Sequence, residues 1–229
     1  MKTPTLAWLL CAALLTGACH AASPPDSRGS HPGDPALADA SAVEDWLAWA
    51  ATGNAARGEA EFEFCRGCHR DGGAGWANGS YPRLAGQHAS VMVKQIDDIR
   101  SGRRKNHRML PFVDETVLDR QQVADVAAYL QAQPVKADNG QGPGTNLERG
   151  KLLYAGDCAH CHGAAGEGDA QRLVPRLSGQ HYLYLLREAR AIRDGSRGNG
   201  NTEMAELITG YDDADLEAVF DFVSRLPVD

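Results

Sequence analysis

Apolar residues recur at helical spacing along this chain, and no segment shows the strict alternation of a strand. The clearest stripe runs through Val123, Val126, Ala127 and Leu130 and predicts a helix over residues 119–131. Leu216, Val219, Phe220 and Val223 repeat it and predict a helix over 213–225. A second pair of helices is predicted where Val91, Ile96 and Ile99 match Tyr184, Ala189 and Ile192. Two short helices should end near Phe64 and Ala155. Residues 41–51 read as one more helix, with Ser41 as N-cap and Val43, Trp46, Leu47 and Ala50 at helical spacing, broken by Gly53-Asn54. Its tryptophans are expected to pack on the domain that follows.

The pairing of elements reflects an internal duplication. PRLAGQH (Pro82 to His88) returns as PRLSGQH (Pro175 to His181), 93 positions on. Ile99-Arg100-Ser101-Gly102 returns as Ile192-Arg193-Asp194-Gly195, and Pro134-Val135 as Pro227-Val228, at the same offset. Residues 55–137 and 147–229 are therefore two all-α domains. Residues 138–146 hold three glycines, a proline and no apolar residue, so they read as an extended linker.

The N-terminus has a different character. Lys2, the apolar run from Leu6 to Leu15 and the small residues Thr16, Gly17, Ala18, Ala21 and Ala22 make residues 1–22 a signal peptide. The run is shorter than the about 20 residues a membrane span needs. Residues 23–54 read as a mobile leader, rich in Pro, Ser, Gly and Asp, that carries the short helix. Beyond residue 22 there are 22 basic and 30 acidic residues, a poor balance for binding nucleic acid. A lipid anchor at Cys19 is disfavoured, because the leucine of a lipoprotein cleavage site stands one position too far upstream.

Chemistry enters with Cys65-Arg66-Gly67-Cys68-His69 and its repeat Cys158-Ala159-His160-Cys161-His162. C-x-x-C-H is the attachment pattern of c-type haem: two thiols reach two vinyl groups and the next residue places an imidazole under the iron. A structural zinc would set its cysteine pairs about 15–20 residues apart, not 93. A thiol redox pair would need a βαβ pattern, which is missing. Cys11 and Cys19 are the only other cysteines, so no structural disulfide is expected. Domains of about 80 residues bury little core, and two covalently attached haem c groups would supply apolar surface.

His69 and His162 each leave one axial position on the iron to fill. Met109 and Met204 stand 40 and 42 residues after their histidines, in segments that read as loops before the third helix. Met92 sits in an apolar helical run and has no counterpart, which reads as core packing. His88, His181 and His107 stay open as rivals on chemistry alone, although the start of a helix favours a cap or surface role.

These motifs, with Pro-Arg-Leu-x-Gly-Gln, the Ile-Arg-x-Gly helix end and the late methionine, resemble cytochrome c4 over residues 55–229. The resemblance implies two tandem class I cytochrome c domains, all-α and related by pseudo-twofold symmetry, with haem edges facing across the interface. It implies thioethers at Cys65, Cys68, Cys158 and Cys161, proximal ligands His69 and His162, and distal ligands Met109 and Met204. It further implies that the Pro82 and Pro175 carbonyls hold the imidazoles, and that Gly58 and Gly150 let helices cross near Tyr129 and Phe222.

A His/Met pair at both irons leaves no substrate position, so the expected function is one-electron transfer in a periplasmic respiratory chain. The partners would be an electron donor and a haem–copper terminal oxidase. A di-haem peroxidase is one alternative; a fixed subunit of a dehydrogenase complex, docked through Trp46 and Trp49, is another. Residues 57–137 carry 12 basic and 10 acidic residues, whereas residues 147–229 carry 9 and 14. The run Arg103-Arg104-Lys105, flanked by Arg100 and Arg108, reads either as a solvated face or as a docking patch for an acidic partner.

Overall fold

The computed structural model describes Met1 and residues 40–228, and every regular element among them is helical. Helix α1 (Ala40–Ala51) precedes the first repeat, which holds α2 (Ala55–Glu61), α3 (Glu63–His69), α4 (Ala89–Arg100), α5 (Leu110–Val113) and α6 (Arg120–Gln131). The second holds α7 (Leu147–Leu153), α8 (Ala159–His162), α9 (Tyr182–Arg193), α10 (Thr202–Thr209) and α11 (Asp213–Val223). The expected signal peptide and most of the leader lie outside the described residues. No helix among the described residues is long and apolar enough to cross a membrane.

The stripes seen in sequence become the two cores. Val123, Val126, Ala127 and Leu130 of α6 are buried with Phe62, Met92 and Val93, and Leu216, Val219, Phe220 and Val223 of α11 with Tyr154, Leu185 and Leu186. Asp119 and Gln122 form a capping box at the start of α6, and Asp212 caps α11 through the Asp215 amide, so side-chain oxygens satisfy orphan backbone donors. The crossings implied by the family pattern are present and very tight. A Cβ on Gly58 would fall 1.9 Å from the Asp125 carbonyl oxygen, and one on Gly150 would fall 2.0 Å from that of Ala218. Each crossing is backed by an aromatic pair, Phe62 with Tyr129 at 5.5 Å and Tyr154 with Phe222 at 5.7 Å.

The repeats differ by one residue in this region. Gly58 precedes Cys65 by seven positions, whereas Gly150 precedes Cys158 by eight. The extra residue is taken up in a π-helical turn over Tyr154–Cys158, which keeps both the glycine crossing and the cysteine in place. Tyr154, buried there, donates its hydroxyl to the Gly163 carbonyl at 2.6 Å. The short helices predicted to end near Phe64 and Ala155 are α2 and α7, which end at Glu61 and Leu153, and the further helices α3 and α8 carry the cysteine motifs.

Helix α1 packs on the first repeat, where Trp46 and Trp49 join the core. The Trp46 indole donates to Asp97 at 3.0 Å and the Trp49 indole to the Arg120 carbonyl at 2.6 Å.

The repeats meet through bonds that come in reciprocal pairs. Gln180 accepts from the Arg83 amide and donates to the Arg83 carbonyl, both at 2.9 Å. Gln87 does the same to Arg176, both at 3.0 Å. His88 Nε2 donates to the Glu167 carbonyl at 2.8 Å, and His181 Nε2 donates to that of Ala74 at 2.9 Å. Every partner in these pairs is displaced by 93 positions. That exchange is the mark of an isologous interface, here the pseudo-twofold inside one chain.

Residues 138–146 contain no helix, yet they are not a free linker. Asn139 donates to the Gln180 and Ser224 carbonyls, the Gly140 amide donates to His181 Nδ1 at 3.1 Å, and the Gly144 amide donates to Asp221. Asp138 pairs with the buried Arg83. The strap is tied down at both ends.

Candidate haem sites

Cys65, Cys68, His69 and Met109 line one apolar cavity together with Phe64, Phe112 and Val117. Helix α3 supplies the first three as neighbours on a single turn and a half. Met109 arrives as the residue that opens α5, held by its amide donating to the Asn106 side chain at 3.2 Å. The apolar rim is unusually bare on the protein alone: Phe64 is 81% exposed, Phe112 53% and Val117 54%. A flat apolar ring seated between thiols, imidazole and thioether would cover such a rim, so the residues present fit a haem.

His69 is buried, and its Nδ1 lies 3.1 Å from the Pro82 carbonyl. A carbonyl only accepts, so Nδ1 carries the proton and Nε2 keeps its lone pair for a metal. Burial holds the His69 imidazole below its ordinary pKa, opposed by the bond to Pro82 and reinforced by the Arg104 charge. His162 repeats the arrangement, with Nδ1 3.0 Å from the Pro175 carbonyl and burial again lowering its pKa. Burial thus favours the neutral form of both rings.

The four motif cysteines are unpaired. Burial pushes the Cys65 and Cys158 thiols up to about 11, which keeps them as thiols. Zinc needs thiolates converging on one point, and among the described residues no three His, Cys, Asp or Glu side chains do so. In the second repeat Cys158, Ala159 and Met204 flank the buried core. Met204 lies in the first turn of α10, whose N-cap Asn201 accepts from the Met204 amide at 3.3 Å. The reading of Met204 as a loop residue is therefore corrected, since it lies inside α10, whereas Met109 stays in the turn that leads into α5. The recurring Asn three residues before each methionine was the sequence signal for this.

The rival ligands have other places. His181 uses both ring nitrogens, accepting from Gly140 and donating to Ala74. His88 is committed to Glu167, and His107 is exposed. Neither helix-start histidine caps its helix, so the cap reading gives way to an interdomain one. Met92 is buried in the first core, as its apolar setting implies.

The basic run is also reassigned. Arg103 pairs with Asp98 at 2.7 Å and with Asp97 at 2.5 Å. Arg104 crosses the interface to Glu188 at 2.9 Å and to the Tyr184 hydroxyl at 3.1 Å, while Arg197 reaches Glu188 from the other side. Arg100 is spent on the Val113 and Leu118 carbonyls. Only Lys105 and Arg108 of this group are exposed; the other three are structural, Arg100 and Arg103 within the first repeat and Arg104 across the interface. Glu188 stands where the first repeat has Gln95, so repetition did not reveal this acceptor, although Arg197 repeats Arg104 and Asn199 repeats Asn106 at the 93-residue offset.

Two thiol-bearing helices, two carbonyl-held imidazoles and an apolar cavity closed by a methionine define a c-type cytochrome built twice. Comparison with known proteins agrees. The cytochrome c family model matches residues 55–134 and 147–227. The chain is 32% identical to cytochrome c4 of Pseudomonas aeruginosa over 187 residues, covering 77% of this chain and 90% of the relative. It is 33% identical over 172 residues to the thiosulfate dehydrogenase electron acceptor of Stutzerimonas stutzeri, covering 71% and 78%. The crystal structure of reduced recombinant cytochrome c4 from Pseudomonas stutzeri superposes with a TM-score of 0.68 at 28% identity, covering 76% of this chain and all of that one. The chain belongs to the cytochrome c family. It is a di-haem, cytochrome c4-like electron carrier with two covalently bound haem c groups, an electron-transfer protein and not an enzyme.

Proposed function

We propose that His69 and Met109 ligate one iron and His162 and Met204 the other, with thioethers at Cys65, Cys68, Cys158 and Cys161. The observation that carries this is the convergence of Cys65, Cys68, His69 and Met109 on one apolar cavity. Bound haem supplies the one-electron Fe(III)/Fe(II) couple; the soft methionine sulfur favours the reduced form and raises the potential. The chain's own residues hold the imidazoles through Pro82 and Pro175, exclude water with apolar walls and fix the two domains against each other.

The pattern of residues 1–22 supports export to the periplasm, where single electrons would pass towards a haem–copper terminal oxidase. A second reading, acceptor for a dehydrogenase, is supported by the likeness to a thiosulfate dehydrogenase electron acceptor. Mass spectrometry and a pyridine haemochrome assay should count two haems, and the resting ferric protein should be low-spin at both. One haem, or a high-spin ferric signal, would refute the ligand assignment. Stopped-flow oxidation by a membrane oxidase and reduction by a thiosulfate dehydrogenase would separate the two partner readings.

A further inference from the structure

The peptide group between Pro82 and Arg83 is engaged at both ends. Its carbonyl accepts from His69 Nδ1 at 3.1 Å, and its N–H donates to Gln180 Oε1 at 2.9 Å. Gln180 belongs to the other repeat. The peptide group between Pro175 and Arg176 does the same: its carbonyl accepts from His162 Nδ1 at 3.0 Å, and its N–H donates to Gln87 Oε1 at 3.0 Å. Each glutamine also donates from Nε2 to the carbonyl of the same arginine, so only one orientation of the amide satisfies both bonds. Gln180 is buried, which keeps water from competing for these groups.

We infer that Gln180 and Gln87 are positioning residues acting across the domain interface, each setting the donor strength of the proximal histidine in the opposite repeat. The amide transmits charge because its N–H and carbonyl are conjugated. Donation from the N–H to a glutamine oxygen makes the carbonyl a better acceptor, and hydrogen bonds in such a chain strengthen one another. A stronger pull on the Nδ1 proton makes Nε2 more basic. A more basic axial ligand stabilises the ferric state and lowers the potential. Part of each domain's potential is therefore set by the other domain's sequence. The inference rests on His69 and His162 being the axial ligands.

The test uses the full-length, haem-loaded protein. Haem methyl NMR resonances, assigned to each domain, are followed through a redox titration of Gln180→Leu and Gln180→Glu. Leucine removes the acceptor, so the midpoint of the His69 domain should rise while that of the His162 domain stays. Glutamate keeps the acceptor oxygen and strengthens it, so the His69-domain midpoint should fall. Gln87→Leu and Gln87→Glu should do the same to the His162 domain. A glutamine that merely holds the domains together would not yield opposite signs for Leu and Glu. Equal shifts at both haems, shifts of one sign in both variants, or no shift would overturn the inference. Should Gln180→Leu not assemble, the sign of the shift in Gln180→Glu decides. Failure of the ligand reading looks different: it would appear as a changed spin state in the wild-type protein, whereas here both haems stay low-spin and only the midpoints speak.

Discussion

Arg104 of the first repeat and Glu188 of the second meet at 2.9 Å inside the domain interface, where the side chains keep only 11% and 17% of their exposure. Burial pushes the Glu188 carboxyl up, but Arg197, Arg104 and Arg187 together hold it below its ordinary range. The loop before Met109 is thereby one fastening between the domains.

Arg104→Ala should cost about 3 kcal/mol, the lower end for breaking a buried pair, because Arg197 still partners Glu188. Buried pairs are screened little, so the loss should persist at high salt. Lys105→Glu, at an exposed position, should change stability by less than about 0.5 kcal/mol. Urea unfolding at two ionic strengths checks both. A deficit that vanished in salt would return Arg104 to the surface.

Gly58→Ala places a methyl 1.9 Å from the Asp125 carbonyl oxygen, a backbone atom that cannot rotate away. Helices α2 and α6 must separate, at a cost of at least about 3 kcal/mol, the upper range for overpacking. Gly150→Ala should behave alike against Ala218. Chemical denaturation with haem content as a second readout measures it; wild-type stability in either variant would contradict the crossing geometry.

His181 is neutral by construction. Its Nδ1 accepts from Gly140, so protonation there would break that bond. Burial first, and then the Arg83 and Arg70 charges, lower its pKa against the opposing bond to Ala74 and the Asp138 charge. The folded state thus refuses a proton that the unfolded chain takes up below its ordinary value of about 6.5. Stability from this group is fully present above that pH and falls as pH drops below it. The melting temperature should decline from pH 7 to pH 5 with a shallower slope in His181→Gln. Identical slopes would remove His181 from the acid sensitivity.

Met109→Ala and Met204→Ala should each lower the potential of one haem and remove its sulfur–iron charge-transfer absorption. Met92→Ala should keep both absorptions and instead lose about 2–5 kcal/mol of stability, as large-to-small changes in a core do. Visible spectroscopy beside thermal unfolding separates the two outcomes. Loss of the band in Met92→Ala, with the band intact in Met109→Ala, would reverse the roles.

Much of this protein was readable from local pattern. The stripes of α6 and α11 are periodic, and periodicity survives without knowledge of neighbours. Cys-x-x-Cys-His is local too, since one haem constrains five consecutive residues. The two glycines mattered at the helix crossings because a missing Cβ is a chemical fact of the residue. Helix α10 was harder to see: its start depends on the Asn201 side chain reaching the Met204 amide, a weak signal among polar neighbours.

By itself the sequence determined what repeats: two all-α units, two attachment motifs, and a 93-residue offset that links the motifs and the main helical stripes. Only the tertiary structure decided what those repeated polar residues do. Gln87, Gln180, His88 and His181 look like helix-start residues in one dimension, yet each bonds backbone in the opposite repeat. Arg104 looks like surface charge and is an interdomain ion pair. The reason is physical. A hydrophobic stripe reports its burial through its own spacing, whereas a polar side chain is defined by a partner, and here the partners stand 79 to 107 positions away.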